Sequence, residues 1–106
     1  MGEYVQVVTA VGNEDEAEKI SQMVVEKRLA GCAQVIGPIT SIYWWKGKIE
    51  RAEEWLCLIK SRADLYQELE STILEVHSYE NPEILAIPVI NGSKRYLAWL
   101  ESELKK

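Results

Sequence analysis

The densest polar chemistry of the chain lies in residues 77–83. This segment holds the only histidine, His77, together with Tyr79, two glutamates and an Asn-Pro turn. An imidazole near a phenol and carboxylates can ligate a metal ion, hold a polar ligand or move a proton. The segment therefore carries the first candidate functional site.

Cys32 and His77 are the candidate ligands for a metal ion. A thiolate and an imidazole suit copper or another divalent metal such as zinc. The chain has no HxxxH or CxxC spacing, so these ligands would have to meet through the fold or between subunits. The alternatives are that His77 bonds the last carbonyls of a helix and that Cys32 is a small buried hydrophobe. Folding itself is expected to need no metal.

A second candidate site draws on residues that are far apart in the sequence and would line a cleft between subunits. Its members are Trp45, Glu54, Lys60, Tyr79 and Glu80. Such a set of aromatic, acidic and basic side chains can bind a small polar ligand, and it can equally form an ion-pair network at a subunit interface. Both interpretations stay open.

Catalysis is the third possibility, with Cys32 as the nucleophile, His77 as its base and Glu80 orienting the imidazole. No nucleophile motif or glycine-rich phosphate loop accompanies these residues, so we predict a binding protein and not an enzyme. The net charge of −5 argues against a nucleic-acid partner, since nucleic-acid-binding surfaces carry a basic excess. No run is apolar enough to span a membrane, and residues 1–3 lack the features of a secretory signal, so the cytoplasm is the expected location.

Hydrophobic periodicity predicts the elements that must position these residues. Runs rich in β-branched residues predict strands that begin near Tyr4, Cys32, Ile49 and Ile84, and helical stripes predict helices after Asn13, Asp64 and Ser93. The order is β-α-β-β-α-β followed by a helix. Right-handed crossovers place both inner helices on one face of an antiparallel sheet. The 106 residues are therefore expected to form one ferredoxin-like α+β domain.

Capping and breaking residues predict where these elements end. Asn13 and Asp64 are each followed three residues later by Glu or Gln, which predicts capping boxes. Gly31 is expected at the C′ position of the first helix. Pro38 and Pro88 cannot donate to a β-ladder, so their strands should lie at sheet edges or contain bulges.

The central hairpin is longer than the helical layer that covers it. Strands of ~13 residues span roughly 40 Å, whereas helices of ~16 residues span about 24 Å. Roughly 15 Å of hairpin should therefore project, carrying Tyr43, Trp44, Trp45 and Trp55. A patch of this kind is unfavourable in a monomer, so we predict that the hairpin packs on a second copy of the chain. The alternative is a hairpin folded back on its own sheet.

Several segments together resemble the CutA family of divalent-cation tolerance proteins over essentially the whole chain. They are residues 25–35 (VEKRLAGCAQV), 42–49 (IYWWKGKI), 59–61 (IKS), 77–84 (HSYENPEI) and 88–92 (PVING), with Tyr96 and Trp99 beyond them. The cysteine segment, the aromatic hairpin and the histidine turn are specific only in combination.

The resemblance implies a homotrimer of ferredoxin-like subunits, similar in build to PII-type signalling proteins, with long hairpins reaching between neighbours. It also implies a role in tolerance to copper and other divalent metal ions. The leading hypothesis is therefore a homotrimeric metal-binding protein without catalysis. A PII-like sensor of a small polar ligand and a structural trimeric scaffold are the alternatives. Ser78 stands where the family usually has proline, so a looser start of the turn is expected there.

Overall fold

The computed structural model describes residues 4–106 as a four-stranded antiparallel sheet with two crossover helices packed on one face. Residues 1–3, on which the expected absence of a secretory signal rests, lie outside the described part. The elements are β1 (Tyr4–Val11), α1 (Glu14–Glu26), β2 (Cys32–Trp45), β3 (Lys48–Arg62), α2 (Tyr66–Val76), β4 (Ile84–Val89) and α3 (Lys94–Glu103). With the strand order β2-β3-β1-β4, this confirms the predicted ferredoxin-like α+β fold.

The hydrophobic core lies between the crossover helices and one face of the sheet. Strand residues alternate between faces, so Val5, Val7 and Val11 of β1 point toward the helices. The helix side chains buried against them are Ala17, Ile20 and Val24 of α1 and Leu69 and Ile73 of α2. This core fixes β1 at the centre of the sheet.

The opposite face of the sheet also carries apolar side chains, and several of them stay exposed. Leu85 pairs with Val8, and Ile36 pairs with Leu56, which places all four on this face. Ile36, Leu85 and Ile87 are each about half exposed. We call this surface the open face; an apolar area of this kind is normally covered by a partner.

The β2–β3 hairpin projects beyond the rest of the sheet, as predicted. β1 ends at Val11, which pairs with Trp55, so the hairpin residues from Ile39 to Glu54 have no β1 partner. Trp44 is 72% exposed on this projection. Trp55 was wrongly predicted to project: it lies at the base of the hairpin, where it packs on the core and directly over Gly37, a position at which a β-carbon would overlap the indole ring.

The edge positions of the two proline-containing strands are confirmed. β2 and β4 are the outer strands of the sheet, and the β2 register shifts between Ile36 and Ile39, around Pro38. Pro88 lies in β4. Both prolines therefore avoid the ladder position in which an amide donor is needed.

Two predicted helix ends are wrong. α1 ends at Glu26, and Arg28, not Gly31, takes the left-handed conformation, with φ of 60°, that turns the chain back toward the sheet. Asp64 does not cap α2, because its carboxylate accepts a hydrogen bond from Arg62 and a 3-10 turn at Ala63–Leu65 precedes the helix.

Candidate functional site

A cleft of about 730 Å³ lies between the projecting hairpin and the turn of residues 78–83. The fold creates it because the hairpin continues past the end of β1 while the chain leaving α2 passes that same end. Four of the five predicted cleft residues line it: Trp45, Glu54, Tyr79 and Glu80. Several other residues also line the cleft that sequence analysis did not assign to it: Ser41, Tyr43, Asn81 and Glu83.

A buried carboxyl group joins the two sides of the cleft. Glu54 of β3 is only 8% exposed, and its Oε2 accepts a 2.8 Å hydrogen bond from the hydroxyl of Tyr79. Burial, and then the neighbouring Glu54 carboxyl, raises the pKa of Tyr79. Oε1 of Glu54 has no hydrogen-bond partner within residues 4–106. Among the described residues, only Thr9 and Ser21 carry a fully buried polar atom without a partner, so solvent reaches this Glu54 oxygen and it is open to a ligand or a neighbouring chain that supplies a donor or a charge.

The imidazole of His77 is held as a structural element beneath this site. Its side chain is fully buried, and Nδ1 accepts a 3.0 Å hydrogen bond from the backbone amide of Tyr79. Because Nδ1 must accept, the proton lies on Nε2, which donates to the carbonyl oxygen of Ala10 at 2.9 Å. Both ring nitrogens are therefore occupied, and the ring offers no free lone pair to a metal ion in this arrangement.

Glu16 on α1 holds the start of the turn through hydrogen bonds. The looser start that was expected at Ser78 is therefore not found. Its carboxylate accepts hydrogen bonds from the amide of Ser78 at 2.9 Å and from the hydroxyl of Ser78 at 2.8 Å. A proline at this position could donate neither bond. Sequence analysis assigned Glu16 only to the capping box, of which one half forms: Oδ1 of Asn13 accepts from the Glu16 amide.

Cys32 and Lys60 lie together at a different part of the sheet. They pair across the β2–β3 ladder, and the Lys60 ammonium donates to the side-chain oxygens of Gln6 and Gln34, each at 2.8 Å. Lys60, although predicted for the cleft, therefore takes no part in lining it. The Cys32 thiol lies near Tyr96, whose pKa is raised mainly by burial and also by this thiol.

The structure does not bring Cys32 and His77 together within one chain. His77 bonds to Ala10, which lies opposite Leu56 of β3, whereas Cys32 lies opposite Lys60. Four strand residues separate the two positions, about 13 Å at strand rise. Among residues 4–106, no group of three or more His, Cys, Asp or Glu side chains is placed to hold a metal ion. A metal site with both ligands would need more than one subunit or a rearrangement.

The lining of the cleft is acidic and aromatic. Its ionisable lining groups include the carboxyls of Glu54, Glu80 and Glu83, and no lysine or arginine of the described chain lines it. Tyr43, Trp45 and Tyr79 supply aromatic surface. Carboxyls and aromatic faces both attract positive charge, so this arrangement favours a cationic occupant over an anion.

The fold as a whole superposes on solved structures described as a divalent cation tolerance protein and as CutA1. A family model described as CutA1 divalent ion tolerance protein matches residues 5–103, and the chain belongs to that family. The family name describes tolerance to divalent ions and no catalysed reaction.

Individual relatives agree in sequence and in structure. The divalent-cation tolerance protein CutA of Archaeoglobus fulgidus is 38% identical over 86% of this chain and 88% of its own length. Human Protein CutA is 48% identical over 83% of this chain but only 49% of its own, so the chain spans about half the length of that relative. The solved CutA1 structure from Thermus thermophilus superposes with a TM-score of 0.94 at 33% identity, covering 96% of this chain and 99% of that one.

Members of the family are found in different compartments. The solved structure from Archaeoglobus fulgidus is described as a periplasmic protein, and a rice relative as chloroplastic. Within residues 4–106, none of the helices combines the length and the apolar character that crossing a membrane requires.

Proposed function

We propose that the protein is a cytoplasmic, homotrimeric binding protein of divalent-cation tolerance that acts without catalysis and holds a small cation in the cleft. The observation that carries this proposal is the largely buried Glu54 carboxyl, which lines the cleft and has one oxygen without a hydrogen-bond partner in the described chain. Within residues 4–106, no lysine or arginine lines the cleft to neutralise the Glu54 carboxyl, and the whole chain carries a net charge of −5. A cation compensates this acidic lining through its charge.

Assembly is supported by two apolar surfaces that one chain leaves uncovered. One is the open face with Ile36, Leu85 and Ile87, and the other is the projecting hairpin with Tyr43 and Trp44. Packing of one subunit's hairpin on its neighbour would bury both and would add a wall to each cleft. A PII-like sensor of a small polar ligand would use the same intersubunit cleft.

Metal binding through Cys32 is the second candidate. The thiol is partly exposed at the start of β2 and faces the same side of the sheet as Lys60, where subunits would meet. Thiolates of neighbouring subunits could then ligate copper or zinc. His77 would join such a site only by giving up its bond to Ala10 or to Tyr79.

Native mass spectrometry and calorimetry of the purified protein test these proposals together. We expect a trimer that binds one cation per subunit from a panel of Zn(II), reduced copper and tetramethylammonium, and that binds no acetate or phosphate. Glu80→Gln should weaken this binding, whereas Glu75→Gln, an exposed change on α2 away from the cleft, should not. Loss of metal uptake only in Cys32→Ser would move the site to the thiol. A trimer that binds none of the cations would overturn the proposal and favour the trimeric scaffold, and a monomer would overturn the proposal and the scaffold alike.

A further inference from the structure

We infer that the cleft selects an organic ammonium cation, held against the aromatic side chains of the hairpin and neutralised by Glu54 and Glu80. This inference rests on the proposed function, because it names the ligand class of the same cleft. It would make the link between this protein and divalent metal ions indirect.

The hairpin presents aromatic side chains on the same face as the buried carboxyl. Glu54 pairs directly with Ile39, and strand residues alternate, so Tyr43 and Trp45 share that face with Glu54. Tyr79 completes the lining from the turn. An ammonium group over an aromatic face within about 6 Å of the ring centre is attracted to it. The Trp45 ring already has such a neighbour, since the Lys46 ammonium lies 5.7 Å from its centroid.

The same lining is poorly suited to a bare metal ion. Divalent metals require several oxygen, nitrogen or sulfur atoms converging at short distance. Glu54, Glu80 and Glu83 do not converge in this way, because no group of three such side chains in the described chain is placed to hold a metal. A cation of several atoms can contact an aromatic ring and a carboxyl that lie apart, and about 730 Å³ is the size of a small-molecule site.

The negative charge of the cleft lining favours a positively charged ligand, and the burial of Glu54 favours that ligand over a neutral one of the same shape. Glu54 is 8% exposed and lines the cleft, and one of its carboxyl oxygens has no hydrogen-bond partner within the described chain. A neutral ligand of the same shape would displace water from this oxygen without supplying a charge. An ammonium cation satisfies it through charge, even when its nitrogen carries methyl groups and donates no hydrogen bond.

A pair of isosteric probes tests the inference on the intact trimer. Choline and 3,3-dimethylbutan-1-ol have the same shape, and only choline is charged. We expect choline to quench tryptophan fluorescence saturably and the neutral alcohol to have no effect. Trp45→Leu should weaken choline binding about tenfold, the value of a cation–π contact at a partly desolvated site. Trp99→Leu is the matched control, because Trp45 and Trp99 are 39% and 43% exposed and Trp99 lies on α3.

Glu80→Gln is the second variant, since Glu80 is exposed and we expect its substitution to leave the fold intact. It should weaken choline binding while native mass spectrometry still shows the trimer. Equal binding of choline and the alcohol, or binding unchanged in both Trp45→Leu and Glu80→Gln, would overturn the inference. Uptake of Zn(II) in the cleft without choline binding would overturn this inference and leave the proposed function standing. Failure of choline, tetramethylammonium and metal ions alike would overturn both.

Discussion

The hydroxyl of Tyr79 and the carboxyl of Glu54 lie 2.8 Å apart, and this hydrogen bond ties the turn after α2 to the base of the projecting hairpin. Tyr79 also lies against Gly12, where a β-carbon would come within 3.2 Å of the same hydroxyl. The glycine that ends β1 therefore leaves the space in which the phenol reaches the carboxyl. Glu54 and Tyr79 both line the cleft, so this contact forms part of its wall.

Tyr79→Phe should destabilise the protein by about 1–3 kcal/mol, because the buried Glu54 carboxyl loses its hydrogen-bond donor while the ring stays in place. Urea unfolding at a fixed protein concentration measures the difference. Tyr43→Phe is the control, since the Tyr43 hydroxyl makes no hydrogen bond within residues 4–106. Equal losses in the two variants would show that the Tyr79–Glu54 bond contributes nothing specific.

The same contact predicts a dependence of stability on alkaline pH. Burial and Glu54 raise the pKa of Tyr79 above its ordinary value of 10.0, so the folded state favours the neutral phenol. The stabilisation is therefore fully present below pH 10 and is lost as pH rises through the folded pKa. The free energy of unfolding should fall more steeply above pH 10 in the wild type than in Tyr79→Phe. Parallel pH profiles for the two proteins would contradict this assignment.

The tautomer of His77 can be observed directly. The amide of Tyr79 donates to Nδ1, so the proton of the neutral ring should lie on Nε2. Nitrogen-edited NMR of the single imidazole distinguishes the two tautomers. A proton on Nδ1 would mean that the Tyr79 amide bond is absent in solution and would reopen Nε2 as a metal ligand.

The two thiols should differ in reactivity. Cys57 is buried, donates a weak bond to the carbonyl of Ala17, and has a pKa raised by that burial, whereas Cys32 is partly exposed. A thiolate-specific disulfide reagent should therefore modify one thiol in the native protein and both after denaturation. Cys32→Ser should remove the fast reaction. Fast modification of Cys57 in the native state would contradict the buried placement.

Gly37→Ala should destabilise the protein by about 1–3 kcal/mol, because the added methyl group would overlap the Trp55 indole ring. Thermal denaturation measures the loss. The double variant Gly37→Ala with Trp55→Leu should recover part of it, since the two sites are in direct contact. Additive effects in the double variant would show that the strain lies elsewhere.

The sequence alone was sufficient for the order of elements and the length of the hairpin, because both follow from periodicity and from fixed rises per residue. It failed where tertiary contacts outweighed local preference. Arg28 took the left-handed position expected of a glycine, and it also bonds to Glu103 of α3. Asp64 accepts a hydrogen bond from Arg62 and does not cap α2 as predicted.

For the candidate site, residue type pointed to several side chains that line the cleft of one chain, whereas their geometry could not be predicted. Residue type selected Glu54, Tyr79 and Trp45, which the fold does place together. Within one chain Lys60 lies away from this cleft, since it pairs with Gln6 near the start of β1 whereas the cleft lies at the other end of that strand; a place for Lys60 in a cleft between subunits stays a prediction. Glu16 was missed as a turn-holding residue, since its bond to Ser78 joins α1 to a segment distant in the chain.

The central position of β1 has a consequence for the order in which the chain folds. β1 precedes the other strands, yet its two neighbours are β3 and β4, and Tyr4 pairs with Val89. The β2–β3 hairpin is local and closes with little loss of chain entropy, whereas β1 cannot complete its ladders until β4 is available. During synthesis β1 is therefore unpaired until β3 has been made and lacks its second neighbour until β4 follows, so one of its edges stays exposed on the nascent chain.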